Sequence, residues 1–314
     1  MIMIRFKSYL MQILLVLFCC LYGARISIGA EGLVFYNLND LFLQKINDFR
    51  AQPLEIAKNL GLSEEEIYFL WQIDSFLLYQ GENPLILNEA LCQAAKATLE
   101  DMFEKVYFAH VSPEGLTPRD RVIEYGYQPI MVTESLAFVA FENYLSPEEA
   151  AHIVLNWLFQ NALLRKDREG APFLFPVYQD LGLALAAGQI NFEGKQYNFY
   201  LFCFLFGVPE GYMGSYIFGR LYDDQNGDDF FTPGEGLDQA VLSFQSLSGE
   251  QTIITHTFPD GSFFIPSSEG GVLQVNFKGE VQAPRICFRA PDVVFLGWPP
   301  HLKNWLNLAN VGQF

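Results

Sequence analysis

The sequence predicts an α+β protein in two folded parts, a helix-rich first part packed with a small antiparallel sheet and then a small β-sandwich. Three observations carry this expectation. From about Asn37 to Asn161 the apolar residues recur mainly at helical spacing, with recognisable caps. After a polar, charged loop from Arg165 to Gly170 the pattern changes to strands. Around Gly207 to Gly214 the composition turns to glycine, proline and short alternating strands, which marks a domain boundary. A chain of 314 residues, 51% of them hydrophobic, is long enough to bury two cores and is not a disordered protein.

The first thirty residues stand apart. Arg5 and Lys7 precede an apolar run from Ile13 to Leu21, and no acidic residue occurs before Glu31. The run is shorter than the ~20 residues a spanning helix needs, and small residues follow it at Gly23-Ala24 and Gly29-Ala30. Residues 1–30 therefore read as a signal peptide, cleaved after Ala30 or, second, after Ala24. Lipidation at Cys19 or Cys20 is disfavoured by the bulky Val16, Leu17 and Phe18 before them. Cleavage would remove Arg5, Lys7 and Arg25, three of 19 basic residues and none of 36 acidic ones, moving the net charge from −17 to −20. That balance excludes nucleic acid as a partner and suits an exported protein or a binder of divalent cations. Cys92, Cys203 and Cys287 remain, an odd and widely spaced set that makes neither a disulfide framework nor a metal pair.

The helices are placed by their caps. Ser63 with Glu66 forms a capping box before Ile67, Leu70 and Ile73, and Asn88 caps a helix with Leu91, Ala95, Leu99 and Met102 on one face. Thr117-Pro118 and Ser146-Pro147 each join a cap to a first-turn proline. Strands are expected at 181–187 and 197–206 around a Glu193-Gly194 turn. In the second part they are expected at 216–222, 240–244, 252–258, 262–265 and 272–277. Residues 283–314 have no clear periodicity and read as a tail.

An ordered series runs through the first part: Ile46-Asn47 with Arg50, the helix of Leu91 to Met102, Phe108-Ala109-His110-Val111-Ser112-Pro113 with Gly115, then Arg121, Gly126 and Tyr127. Thr133-Glu134-Ser135-Leu136-Ala137, Trp157 and Tyr178-Gln179-Asp180-Leu181-Gly182-Leu183 complete it. This stretch, Asn47 to Gly207, resembles the CAP superfamily of cysteine-rich secretory, antigen 5 and pathogenesis-related proteins, in its bacterial secreted SCP-like branch. The resemblance implies a CAP domain over 31–207, an α-β-α sandwich with a central cleft. It also implies a cleft tetrad of two histidines and two acidic residues that can hold zinc. His110 and Glu134 match its first histidine and first glutamate, but Gln160 and Leu163 stand where the other two groups would be, so zinc is not expected.

His110 paired with Glu134 is the cleft candidate, with no catalytic residue assigned, because no nucleophile accompanies the pair. Ser112 and Ser135 lie outside a nucleophile elbow, Cys92 sits among apolar helix residues, and no H-E-x-x-H, P-loop or dinucleotide motif occurs. The second part, 208–282, carries the better-defined site. Calcium takes about six to eight oxygens, which a loop can supply at alternate positions and close with a bidentate glutamate. Asp224, Asn226, Asp228, Phe230 by its carbonyl, Thr232 and Glu235 meet that spacing, although Asp229 stands where glycine is usual. With Gly234-Glu235-Gly236 and the following strands, the loop resembles the calcium-binding B-repeat-like domains of bacterial surface adhesins, where the ion is structural.

The expected function is that of a secreted, periplasmic or cell-surface binding module for a small apolar ligand, a peptide or an envelope component. The mature chain is expected to have no membrane span. Two alternatives stand beside it: a degenerate hydrolase using His110 and Glu134, and a purely structural surface protein.

Overall fold

The computed structural model describes residues 27–28, 32–71, 76–165, 169–192, 194–212, 216–227, 231, 234–281, 285–287 and 292–298. Its helices start where local chemistry starts them. Asn88 accepts from Ala90 and Leu91 N–H groups at 3.1 and 3.3 Å, opening α5. Thr117 and Ser146 make complete capping boxes with Asp120 and Glu149, opening α6 and α7. The first part contains β1 (Ser27–Ile28), β2 (Val34–Tyr36), α1 (Asn39–Ala51), α2 (Pro53–Asn59), α3 (Glu64–Trp71), α4 (Phe76–Gln80), β3 (Ile86–Leu87), α5 (Glu89–Glu104) and α6 (Pro118–Glu124). It continues with β4 (Pro129–Phe141), α7 (Pro147–Leu163), β5 (Asp180–Phe192) and β6 (Lys195–Pro209). The protein is thus α+β.

One sheet, in the order β1-β5-β6-β4, organises this part, with β2 and β3 also paired to β5. Residues 199–208 of β6 are all buried, and successive side chains enter different cores. Tyr200, Phe202, Phe204 and Phe206 meet α1, α2, α3 and α7. Phe199, Leu201, Cys203 and Leu205 meet α5 and Val122 of α6. A strand covered on both faces reads as one apolar run, as β6 does. The long strand β4, paired with β6 from Pro129 to Phe141, corrects the expectation that helix dominates through Asn161. Its burial is mixed rather than alternating, so the sequence shows no period of two there.

The second part consists of β7 (Tyr216–Asp223), β8 (Val241–Ser246), β9 (Thr252–His256), β10 (Ser262–Pro266), β11 (Gly271–Phe277), β12 (Glu280–Val281), β13 (Arg285–Cys287) and β14 (Asp292–Trp298). These strands form two sheets, β10-β7-β14 and β12-β11-β8-β9, and β13 also pairs with β11. Strands β13 and β14 differ from the reading of 283–314 as a tail. β14 runs parallel to β7 along its whole length, and Gly219 permits the approach, since a Cβ there would lie 1.6 Å from the Val294 carbonyl oxygen. Residues 299–314 lie outside the described residues, as does nearly all of the leader.

The middle sheet joins the two parts. Ile217, Leu221, Phe263 and Ile265 enter the core shared with Leu242, Phe244, Leu273 and Val275. Phe218 and Phe264, from the same strands, enter the first part's core, as does Phe258. Two buried arginines cross this seam. Arg165 donates from Nη2 to the Thr257 carbonyl at 2.8 Å, with its guanidinium 5.4 Å from the Trp71 ring and 4.8 Å from that of Phe258. Arg220 donates to Asp260 Oδ2 at 3.1 Å and Tyr178 Oη at 3.0 Å, 4.3 Å from the Phe231 ring. Spreading a buried cation over ring faces and carbonyls offsets part of its desolvation.

Candidate functional site

His110 lies on the loop between α5 and α6, held by its own backbone: its carbonyl accepts from Arg121 Nη2 at 2.9 Å. Arg121 is presented by α6, and the same Nη2 is 2.8 Å from Glu134 Oε2 on β4. The other carboxylate oxygen of Glu134 is 2.9 Å from His110 Nδ1. The structure therefore brings together the two candidate residues found in the sequence, His110 and Glu134. It adds a third, Glu169, whose Oε1 is 2.8 Å from His110 Nε2.

Glu169 also anchors the sheet edge. Its Oε2 accepts the backbone N–H of Leu136, and its carbonyl accepts the Ser135 hydroxyl at 2.7 Å. The inward turn depends on Gly170, where a Cβ would lie 2.4 Å from Ala162 N, so the loop can lie flat on the end of α7 only with glycine. The sequence pattern reads 165–170 as a polar, charged loop, and within it Arg165 and Glu169 are both buried. Gly170 directly after a lone glutamate is the signal that could have flagged it.

The four side chains form a charge-balanced quartet of two cations and two carboxylates. Burial alone would lower the His110 pKa, but Glu169 and Glu134 outweigh it and raise it to about 10. Burial would raise that of Glu134, yet Arg121 and His110 hold it below the ordinary value. A carboxylate at each ring nitrogen favours the protonated imidazole, which donates from both nitrogens. Such a ring offers no lone pair to a metal and accepts no proton. Cys203 Sγ, 3.6 Å from Glu134 Oε2, is pushed well above its usual pKa by burial and by that carboxylate, so it is no thiolate nucleophile. Leu163 is fully buried, and its carbonyl accepts from Trp71 Nε1 at 2.7 Å. Ser112 bonds within its turn, its Oγ accepting from Leu116 N at 3.1 Å.

Of the calcium-spaced residues, Asp228, Phe230 and Thr232 lie outside the described residues. Asp224 Oδ1 accepts from Gly227 N at 2.9 Å, and the buried Glu235 accepts from Gln225 N at 3.2 Å. Asn226 is exposed on the same turn. Among the described residues no cluster of three or more His, Cys, Asp or Glu side chains is arranged to hold a metal, and no helix is long and apolar enough to cross a membrane.

The fold and the quartet define a class, an α+β protein with a buried ion quartet at a sheet edge. No protein-family model and no curated protein matches the chain. Among solved structures, it is similar to an outer surface protein from Borrelia burgdorferi at 16% identity and a TM-score of 0.31, covering 56% of this chain and 98% of that one. It is also similar to an extracellular protein containing an SCP domain from Bacillus anthracis, at 18% identity and a TM-score of 0.26. That match covers 46% of this chain and 39% of the other.

Proposed function

We propose that this chain is an exported, CAP-like binding module: an α-β-α sandwich over 31–207 joined to a β-sandwich with a structural calcium loop. It works in the periplasm or at the cell surface by holding a small apolar ligand, a peptide or an envelope component. The observation that supports binding over catalysis is the double engagement of His110 by Glu134 and Glu169. A histidine protonated between two carboxylates organises the loop before α6 and has no free lone pair for general-base work. The acidic balance and the leader support export. For calcium, the register of Asp224, Asn226, Asp228, Phe230, Thr232 and Glu235 supports the reading, with Asp224 and Glu235 on one closed turn.

Mass spectrometry of organic extracts from natively purified protein tests the binding reading. A stoichiometric ligand is the expected result. A protein that emerges empty and ignores sterols, fatty acids and cell-envelope fragments in titration overturns it. Ester or peptide cleavage lost in His110→Ala would instead establish the hydrolase.

A further inference from the structure

A cavity of about 520 Å³ opens at the seam, and none of the quartet residues lines it. Asn83, Gln179, Pro209 and Glu210 line it from the first part, and Gly211, Tyr212 and Tyr216 from the connection into β7. Its walls are held independently of any ligand. The carbonyl of Asn83 accepts from the buried Arg50 Nε at 2.8 Å. Gln179 is pinned through its backbone, its N–H to the Gly207 carbonyl at 3.0 Å and its carbonyl to Ile86 N at 2.8 Å. Glu210 N donates to the Gln128 carbonyl at 2.9 Å. The two tyrosine rings are braced edge-on, Tyr212 against Phe218 at 5.6 Å and Tyr216 against Phe264 at 5.9 Å. A preformed site loses little entropy on binding.

The lining selects its ligand. Two side-chain amides and a carboxylate offer donors and acceptors, while the rings of Tyr212 and Tyr216 and the Pro209 ring offer flat carbon surface. An aliphatic ligand would strand the amides, and an anion would meet Glu210 with Glu82 beside Asn83. Glu82 is a half-buried carboxyl raised to about 7 by burial, against the lowering effect of Arg50, so it can donate as well as accept near neutral pH. Neutral molecules with hydroxyl and amide groups on a partly apolar ring satisfy every wall.

We infer that the Asn83–Gln179–Tyr212–Tyr216 cavity is a binding site for a neutral saccharide bearing N-acetyl groups. The inference deepens the binding-module reading by naming the class of envelope component, and it rests on that reading. Because the cavity spans the junction, the first part alone would hold only half of it.

Isothermal titration of the full mature chain with tri-N-acetylchitotriose tests the site. Binding is expected, weakened roughly tenfold in Gln179→Ala and in Asn83→Ala, a loss of about 1.4 kcal/mol. Tyr216→Phe keeps the ring and its brace and should weaken binding less, whereas Tyr144→Ala, an exposed tyrosine away from the seam, should not change it. Binding unaffected by Gln179→Ala and Asn83→Ala overturns the seam site while leaving the module reading intact. No binding at millimolar sugar overturns the saccharide assignment, and the extract analysis then decides the broader reading by itself.

Discussion

Glu169 and Glu235 are both buried glutamates at the ends of charged loops, and the structure uses them in different ways. Glu169 reaches out of its loop to His110 Nε2 and to the edge of β4, tying three separate segments together. Glu235 turns back on its own loop, accepting from Gln225 N while its carbonyl accepts from Asp223 N at 2.9 Å. The first carboxylate balances a buried cation; the second closes a turn that begins at the surface. A bond to a distant segment stakes tertiary structure on a buried charge, whereas a bond within a loop stakes that loop.

The largest effect should therefore follow Glu169→Ala, which leaves the His110 imidazolium short of a carboxylate. Removing one partner of a buried pair costs about 3–5 kcal/mol, measurable by urea unfolding. A loss below about 1 kcal/mol would erase the distinction between the two glutamates, since that is the worth of an exposed pair. Arg165→Ala, at the start of the same loop, loses a carbonyl bond and two ring faces and should cost about 2–3 kcal/mol. If the seam couples the two parts, this variant should also broaden or split a single unfolding transition; an unchanged transition would show that the arginine is incidental.

Titration sharpens the comparison further. The folded pKa of His110 is raised from 6.5 to about 10, so its contribution to stability is complete below 6.5 and is lost as pH rises toward 10. Glu134 shifts downward, so its contribution is present above its unfolded value and is lost as pH falls. Stability measured from neutral to alkaline pH should decline in the wild type and decline less in Glu169→Gln. Equal slopes would contradict the assignment of Glu169 as a partner of His110.

The smallest effect is expected at the second loop. If calcium occupies it, excess ion should raise the melting temperature of the full chain by a few degrees, and Asp224→Ala or Glu235→Gln should abolish the rise. Glu235→Gln without calcium should change stability by about 1 kcal/mol or less, since the amide retains an acceptor oxygen for Gln225 N. A calcium-independent melting curve would leave the loop as a closed acidic turn.

Much of this protein is written in short range. The caps at Asn88, Thr117 and Ser146 act on N–H groups two or three residues away, so they are legible one window at a time. The same holds for β8, β10 and β11, which begin and end within two residues of the expected bounds. His110 and Glu134 were recognisable as a pair from the motif series around them, and they meet at 2.9 Å. β4, β14 and Glu169 were not legible, for one shared reason. A strand with mixed burial, a strand completed by parallel pairing across the chain, and a carboxylate whose partners lie 33 and 59 residues away carry no local period. Composition and local pattern establish the α+β class and the acidic surface, because propensity and hydration act residue by residue. Which charges go inside is settled only when the sheet edge, the end of α7 and the loop before α6 converge, because a buried charge is tolerated only where its partners already stand.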